Sequence, residues 1–107
     1  MAKLTIGIMY DFDKTLCTTD MQNYDFIKNL GLSPEEFWNE AGQITNENSM
    51  DKILSYLFLM VKKCKEKNIP LTEEYLNSLG DSIVYYRGVQ SWFERINSFA
   101  ASQGANV

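Results

Sequence analysis

The stretch Leu4-Thr5-Ile6-Gly7-Ile8-Met9-Tyr10-Asp11-Phe12-Asp13-Lys14-Thr15-Leu16 decides how the rest of the chain is read. Its first seven residues are apolar on both parities and partly β-branched. A strand with one face in water alternates, whereas a strand without a polar face is buried on both, as in the parallel sheet of an α/β protein. The run then ends at two aspartates. Side chains alternate along an extended strand, so Asp11 and Asp13 are predicted on one side and Phe12 on the other, toward packing. Open α/β sheets bind their ligands at the carboxyl ends of such strands. Two carboxylates this close repel each other unless a cation or a shared proton intervenes. Mg²⁺ suits that place, since it takes oxygen ligands and is usually held by one or two carboxylates plus phosphate.

Downstream of Leu16 the pattern turns helical. Asp20 is placed to cap a short helix through Leu30, with Gly31 just past its end. Ser33-Pro34-Glu35-Glu36 joins an N-cap serine, a proline at the first helical position and a capping-box glutamate, and starts a helix containing Phe37 and Trp38. Gly42 to Asn48 is polar and reads as a loop. From Ser49 the residues Met50, Ile53, Leu54, Leu57, Phe58, Val61 and Cys64 recur at helical spacing, predicting a helix whose apolar stripe forms a helical core. Asn68-Ile69-Pro70 stops it. Thr72 caps a short helix with Tyr75, Leu76 and Leu79, ended by Gly80. Val89, Trp92, Phe93, Ile96, Phe99 and Ala100 form a last amphipathic helix, with Gly104 as its stop signal.

One doubly buried strand needs hydrogen-bonding partners on both edges. The last two residues, Asn106-Val107, read as the start of a strand that does not continue, and Ile83-Val84-Tyr85-Tyr86 is the only candidate for a second strand, equally readable as a helix end or linker. The expectation is therefore the front part of a longer α/β protein, cut before its second core strand. Residues 1–16 would be the first core strand and motif loop, 17–87 an inserted helical segment, and 88–107 the returning helix and the next strand's start. Exposed sheet edges in such a piece favour self-association.

Composition narrows the chemistry. The 107 residues are 45% hydrophobic and 22% charged, with a net charge of −4, which is ordinary for a soluble domain and unlike a nucleic-acid binder. There is no histidine, so Ser-His-Asp triads, Cys-His pairs and most zinc sites are excluded. Cys17 and Cys64 lie far apart and read as reduced thiols in a cytoplasmic protein. No signal peptide or membrane-spanning run is evident.

The stretch Ile6 to Leu16 resembles the first motif of the haloacid dehalogenase-like hydrolase superfamily, an apolar strand followed by Asp-x-Asp-x-Thr/Val-Leu/Val, and matches it without departure. The resemblance implies a Rossmann-like core and a Mg²⁺-dependent phosphoryl transferase, most often a phosphatase acting on a small phosphorylated metabolite. It implies that Asp11 is the nucleophile that forms an aspartyl-phosphate and a ligand of Mg²⁺. Asp13 would be the general acid and base, its backbone carbonyl a second metal ligand. The backbone N–H groups of Phe12 and Asp13, and Thr15, would hold the phosphate. The helical segment would be a cap, as in phosphoserine-phosphatase-like members, with Tyr86-Arg87-Gly88 as the return hinge near substrate. The family's later Ser/Thr, Lys and acidic metal ligands are not found in these 107 residues, so the chain alone is expected to be inactive.

Blander readings stand beside these. Lys14 reads as a solvated side chain, Cys17 as a bystander thiol, and Trp38, Trp92, Tyr85 and Tyr86 as packing residues. The lysines at 62, 63, 65 and 67 suit the helix macrodipole. A mutase uses the same first motif. The alternative to an enzyme is a non-catalytic helical interaction or regulatory module that retains only this motif.

Overall fold

A computed structural model describes residues 2–107. The chain is mixed α/β and mostly helical, with one two-stranded parallel sheet. It divides into two compact units, residues 21–83 on the one hand and residues 1–20 with 84–107 on the other.

The unit of residues 21–83 is wholly helical. A 3-10 turn, Met21–Asn23, precedes α1 (Asp25–Asn29), whose N-cap Tyr24 makes no side-chain capping bond. Asp20 therefore does not cap α1. Gly31 follows with φ +75°, a left-handed geometry that glycine adopts without a Cβ penalty. α2 (Pro34–Asn48) begins as the sequence directs, the Ser33 hydroxyl accepting from Glu36 N–H at 3.1 Å. α3 (Lys52–Glu66) is capped by Asp51, whose carboxylate accepts from the N–H groups of Ile53 and Leu54. α4 (Glu73–Ser78) is capped by Thr72.

Two expectations fail here. The polar stretch 42–48 is the second half of α2 and not a loop. Its polar residues form the solvated face of an amphipathic helix, while Ala41 is buried and Ile44 and Thr45 are half-buried. Asn48 Nδ2 donates back to Ile44 O at 3.0 Å, while Thr45 Oγ1 sits 3.2 Å from Ala41 O and 2.8 Å from Ser55 Oγ, so neither polar side chain needs a loop to satisfy it. On α3 the predicted stripe points outward: Ile53, Leu54, Leu57, Phe58 and Val61 are all exposed, and of the stripe only Cys64 is fully buried. The buried face is instead Ser55, Leu59 and Cys64. Tyr56 to Val61 is an unbroken apolar run, so apolar residues occupy the whole circumference and spacing does not select a face.

The core of this unit is Phe26, Ile27 and Leu30 of the first turn region, Phe37 and Ala41 of α2, and Leu59 and Cys64 of α3. Ser55 is fully buried but satisfied, accepting from Thr45 Oγ1 at 2.8 Å and donating to Asp51 O at 2.9 Å. Lys63 on α3 pairs with Glu40 of α2 at 3.2 Å and with Glu66 at 3.6 Å.

In the other unit, β1 (Leu4–Thr5) pairs in parallel with β2 (Ala105–Asn106), Leu4 opposite Ala105 and Thr5 opposite Asn106. Ile6 N–H extends the ladder to Asn106 O at 2.9 Å. Between them lies α5 (Val89–Ser102), and Gly104, at φ +78°, turns its end into β2. The predicted doubly buried strand is not buried. Leu4 is 67% and Met9 98% exposed, and Ile6 and Ile8 are also exposed. Its hydrogen-bonded part is two residues long, and two strands with one helix cannot cover both faces of an apolar run. Ile83-Val84-Tyr85-Tyr86 supplies no strand, only a single bridge from Tyr85 to Cys17.

Two measurements check this assignment of core and surface. Leu59→Ala is expected to destabilise the protein by about 2–5 kcal/mol, while Leu57→Ala, two residues earlier on the opposite face of α3, costs under about 1 kcal/mol, by denaturant melts. The hydrogen bond and charge of Glu40 hold Lys63 above its ordinary 10.5, against the opposing pull of burial. Because the folded value is raised, this stabilisation is complete below 10.5 and fades as pH rises through the folded value. Lys63→Met is expected to cost no more than about 1 kcal/mol at neutral pH. The difference from the parent should shrink as pH rises past 10.5.

Candidate functional site

The motif loop begins where β1's extended path leaves the ladder. Tyr10, just before Asp11, is anchored on α5: its hydroxyl accepts from Trp92 Nε1 at 2.7 Å, and its ring meets Phe93 edge to face at 5.6 Å. Arg95 lies over the Trp92 ring at 5.4 Å and donates from Nη2 to Gly88 O at 3.0 Å. α5 thus fixes the entry to the loop. Sequence reading took Trp92 for a packing residue and passed over Arg95, although their three-residue spacing places both on one helical face.

The loop turns around one carbonyl. Phe12 O accepts from the N–H groups of Thr15 at 3.1 Å, Leu16 at 3.0 Å and Cys17 at 3.3 Å, and from Cys17 Sγ at 3.4 Å. Residues 13–16 form a turn, with Lys14 in the left-handed region at φ 61°. The strict alternation that placed Asp11 and Asp13 on one side of a strand therefore stops at Phe12. The turn instead folds Thr15 back, and its hydroxyl donates to Asp11 Oδ2 at 3.0 Å. Asp11 is exposed and Asp13 half-buried. Phe12 packs its ring edge to face against Tyr85 at 6.2 Å. Lys14 is not simply solvated; it pairs with Asp20 at 3.3 Å. Cys17 is fully buried, its single S–H shared between Phe12 O and Thr19 O, the latter at 3.1 Å, so the thiol is built into the turn.

The predicted hinge residues fall elsewhere in this unit. Tyr86 and Arg87 are exposed, and Tyr86 N–H donates to Leu16 O at 3.1 Å. Arg87 and Gly88 line a shallow cavity of about 200 Å³ with Tyr10, Trp92 and Arg95, and neither Asp11 nor Asp13 lines it. Gly88 opens α5 at φ +91°, and a Cβ there would sit 3.4 Å from Arg95 Nη2.

The donor set of the loop is all hard oxygen: two carboxylates and a hydroxyl, with the one nearby thiol directed at backbone carbonyls. That chemistry fits Mg²⁺ and not a soft metal. Among the described residues no group of three or more His, Cys, Asp or Glu gathers. No helix among the described residues is long and apolar enough to cross a membrane.

No protein-family model matches the chain, and comparison with curated proteins and with solved structures finds no match.

Gly88→Ala is expected to destabilise the protein by about 1–2 kcal/mol, the cost of a left-handed non-glycine residue. A thermal melt of the variant checks this, and an unchanged midpoint would mean that the turn relaxes freely.

Proposed function

We propose that Asp11 to Leu16 is the nucleophile loop of a Mg²⁺-dependent phosphomonoester hydrolase that works through an aspartyl-phosphate. The observation that carries this reading is the exposed Asp11 carboxylate, oriented by the Thr15 hydroxyl at the head of a turn that also holds Asp13. In the first step an Asp11 oxygen attacks phosphorus and the bond to the substrate oxygen breaks. Asp13 gives that leaving oxygen a proton, then as a carboxylate takes one from the water that attacks the acyl-phosphate and releases Asp11. Bound Mg²⁺, held by the Asp11 carboxylate and an oxygen of Asp13, would neutralise charge on the phosphoryl oxygens. Thr15 fixes the rotation of the Asp11 carboxylate, and Tyr10, tied to Trp92, fixes its backbone.

The fuller assignment follows the same resemblance. The core would be Rossmann-like, and the helical unit of residues 21–83 a substrate-selecting cap for a small phosphorylated metabolite, in a cytoplasmic protein. The exposed apolar residues of α3 favour a second reading, a helical interaction module that retains the loop without its chemistry.

Hydrolysis of p-nitrophenyl phosphate in Mg²⁺ separates the two. Residues 1–107 by themselves are expected to give no turnover above background, because the resemblance covers the first motif alone and assigns none of these residues as the lysine and further acidic groups that carry most transition-state charge. A polypeptide that joins them to such residues is expected to turn over. Asp11→Asn should then abolish the rate and Asp13→Asn lower it by about 10²–10⁴-fold. A rate that survives Asp11→Asn contradicts the assignment.

A further inference from the structure

The helical unit contains a cleft of about 440 Å³ between α2 and α3, within the range of roughly 300–1,000 Å³ typical of small-molecule sites. Its wall is aromatic. Trp38 and Tyr56 meet edge to face at 5.6 Å. The Trp38 N–H is already spent on Asn23 Oδ1 at 2.6 Å, so that ring is held in place and offers the cleft only its hydrocarbon surface.

The polar groups around this wall are unspent. Lys52, Asn46 and Tyr56 line the cleft, and the polar end of none of these side chains makes a hydrogen bond or ion pair with the described residues. Lys52 also sits in the first turn of α3, where the helix macrodipole disfavours a cation. The adjacent Asp51 carboxylate is committed to the N–H groups of Ile53 and Leu54. A bound anion would relieve that unfavourable placement.

Gly42 lines the same cleft in the middle of α2. A glycine inside a helix lowers its stability relative to alanine. Its φ is not left-handed, and a Cβ added there would meet nothing within 4 Å. Neither backbone conformation nor packing explains it. What the missing side chain does is leave the cleft open.

We propose that this cleft binds an aromatic phosphate or phosphonate. The ring would lie against Trp38 and Tyr56. Three separate donors, from Lys52, Asn46 and Tyr56, match a head group with three acceptor oxygens. The assignment is independent of the Asp11 reading, because every group it uses belongs to α2 and α3.

The test is titration of the Asp11→Asn chain, residues 1–107, with phenylphosphonate, followed by backbone and indole N–H shifts in NMR. Binding is expected to saturate, with shifts concentrated at residues 38–46 and 52–56. Affinity should fall at least about tenfold in Lys52→Met, in Asn46→Ala and in Gly42→Leu, which fills the cleft. Inorganic phosphate, which lacks the ring, should bind at least about tenfold more weakly, and benzyl alcohol, which lacks the charge, should not saturate. The proposal is overturned by shifts centred elsewhere, by no saturation up to about 10 mM, by a variant with native dispersion that binds within about twofold of the parent, or by inorganic phosphate binding as tightly.

Discussion

The chain leaves its sheet-bearing unit at residue 20 and re-enters it at residue 84, and a short backbone pairing ties the exit to the return. Thr18 N–H donates to Val84 O at 2.9 Å, Tyr86 N–H to Leu16 O at 3.1 Å, and Cys17 forms a bridge with Tyr85. Closing so long an excursion costs chain entropy, though that cost grows only slowly with loop length. The rest of this unit depends on the closure. It lets α5 and β2 come back to β1, and it puts Tyr85 against Phe12, whose carbonyl organises the loop.

The two units are built differently. The helical unit has a contiguous core from Phe26 to Cys64, capped helices and a satisfied buried serine. Among the described residues of the sheet-bearing unit only Cys17 and Ala100 are fully buried. Its order comes from hydrogen bonds and ring contacts: the two-residue ladder, the Phe12 carbonyl, and the Tyr10, Trp92 and Arg95 chain. Regions with few buried apolar contacts open at the low end of the stability range. A loop held by polar contacts on a lightly buried support keeps its carboxylate accessible, which suits a nucleophile better than a core position would.

Local signals were legible where the backbone itself demands a residue type. Ser33 and Thr72 cap their helices, and Gly31 and Gly104 take left-handed geometry at helix ends, because these roles rest on neighbours in sequence. A strand start was legible only at Asn106-Val107, whereas β2 runs over Ala105–Asn106, because its bounds are set by pairing with the distant β1. Long-range choices were not readable. The face that α3 buries is chosen by α2, and its apolar run offers every direction equally. Residues 42–48 look like a loop in composition because their polar groups are a solvated helical face. The burial of residues 4–10 was inferred from a pattern that covers two faces, and the structure supplies neither cover. At the loop, the residue types were plain, but the turn at 13–16 and the Thr15 bond to Asp11 depend on a left-handed Lys14 that sequence does not announce.

The central functional claim is that phosphoryl transfer passes through a covalent bond to Asp11. It is tested most directly by quenching a polypeptide that carries this loop and turns over a phosphomonoester in Mg²⁺, and reducing the quenched protein with borohydride. Reduction of an aspartyl-phosphate leaves homoserine in place of that aspartate. The account predicts homoserine at position 11 alone, located by peptide mass spectrometry. Homoserine at position 13, or turnover with no reducible acyl-phosphate at all, would contradict it.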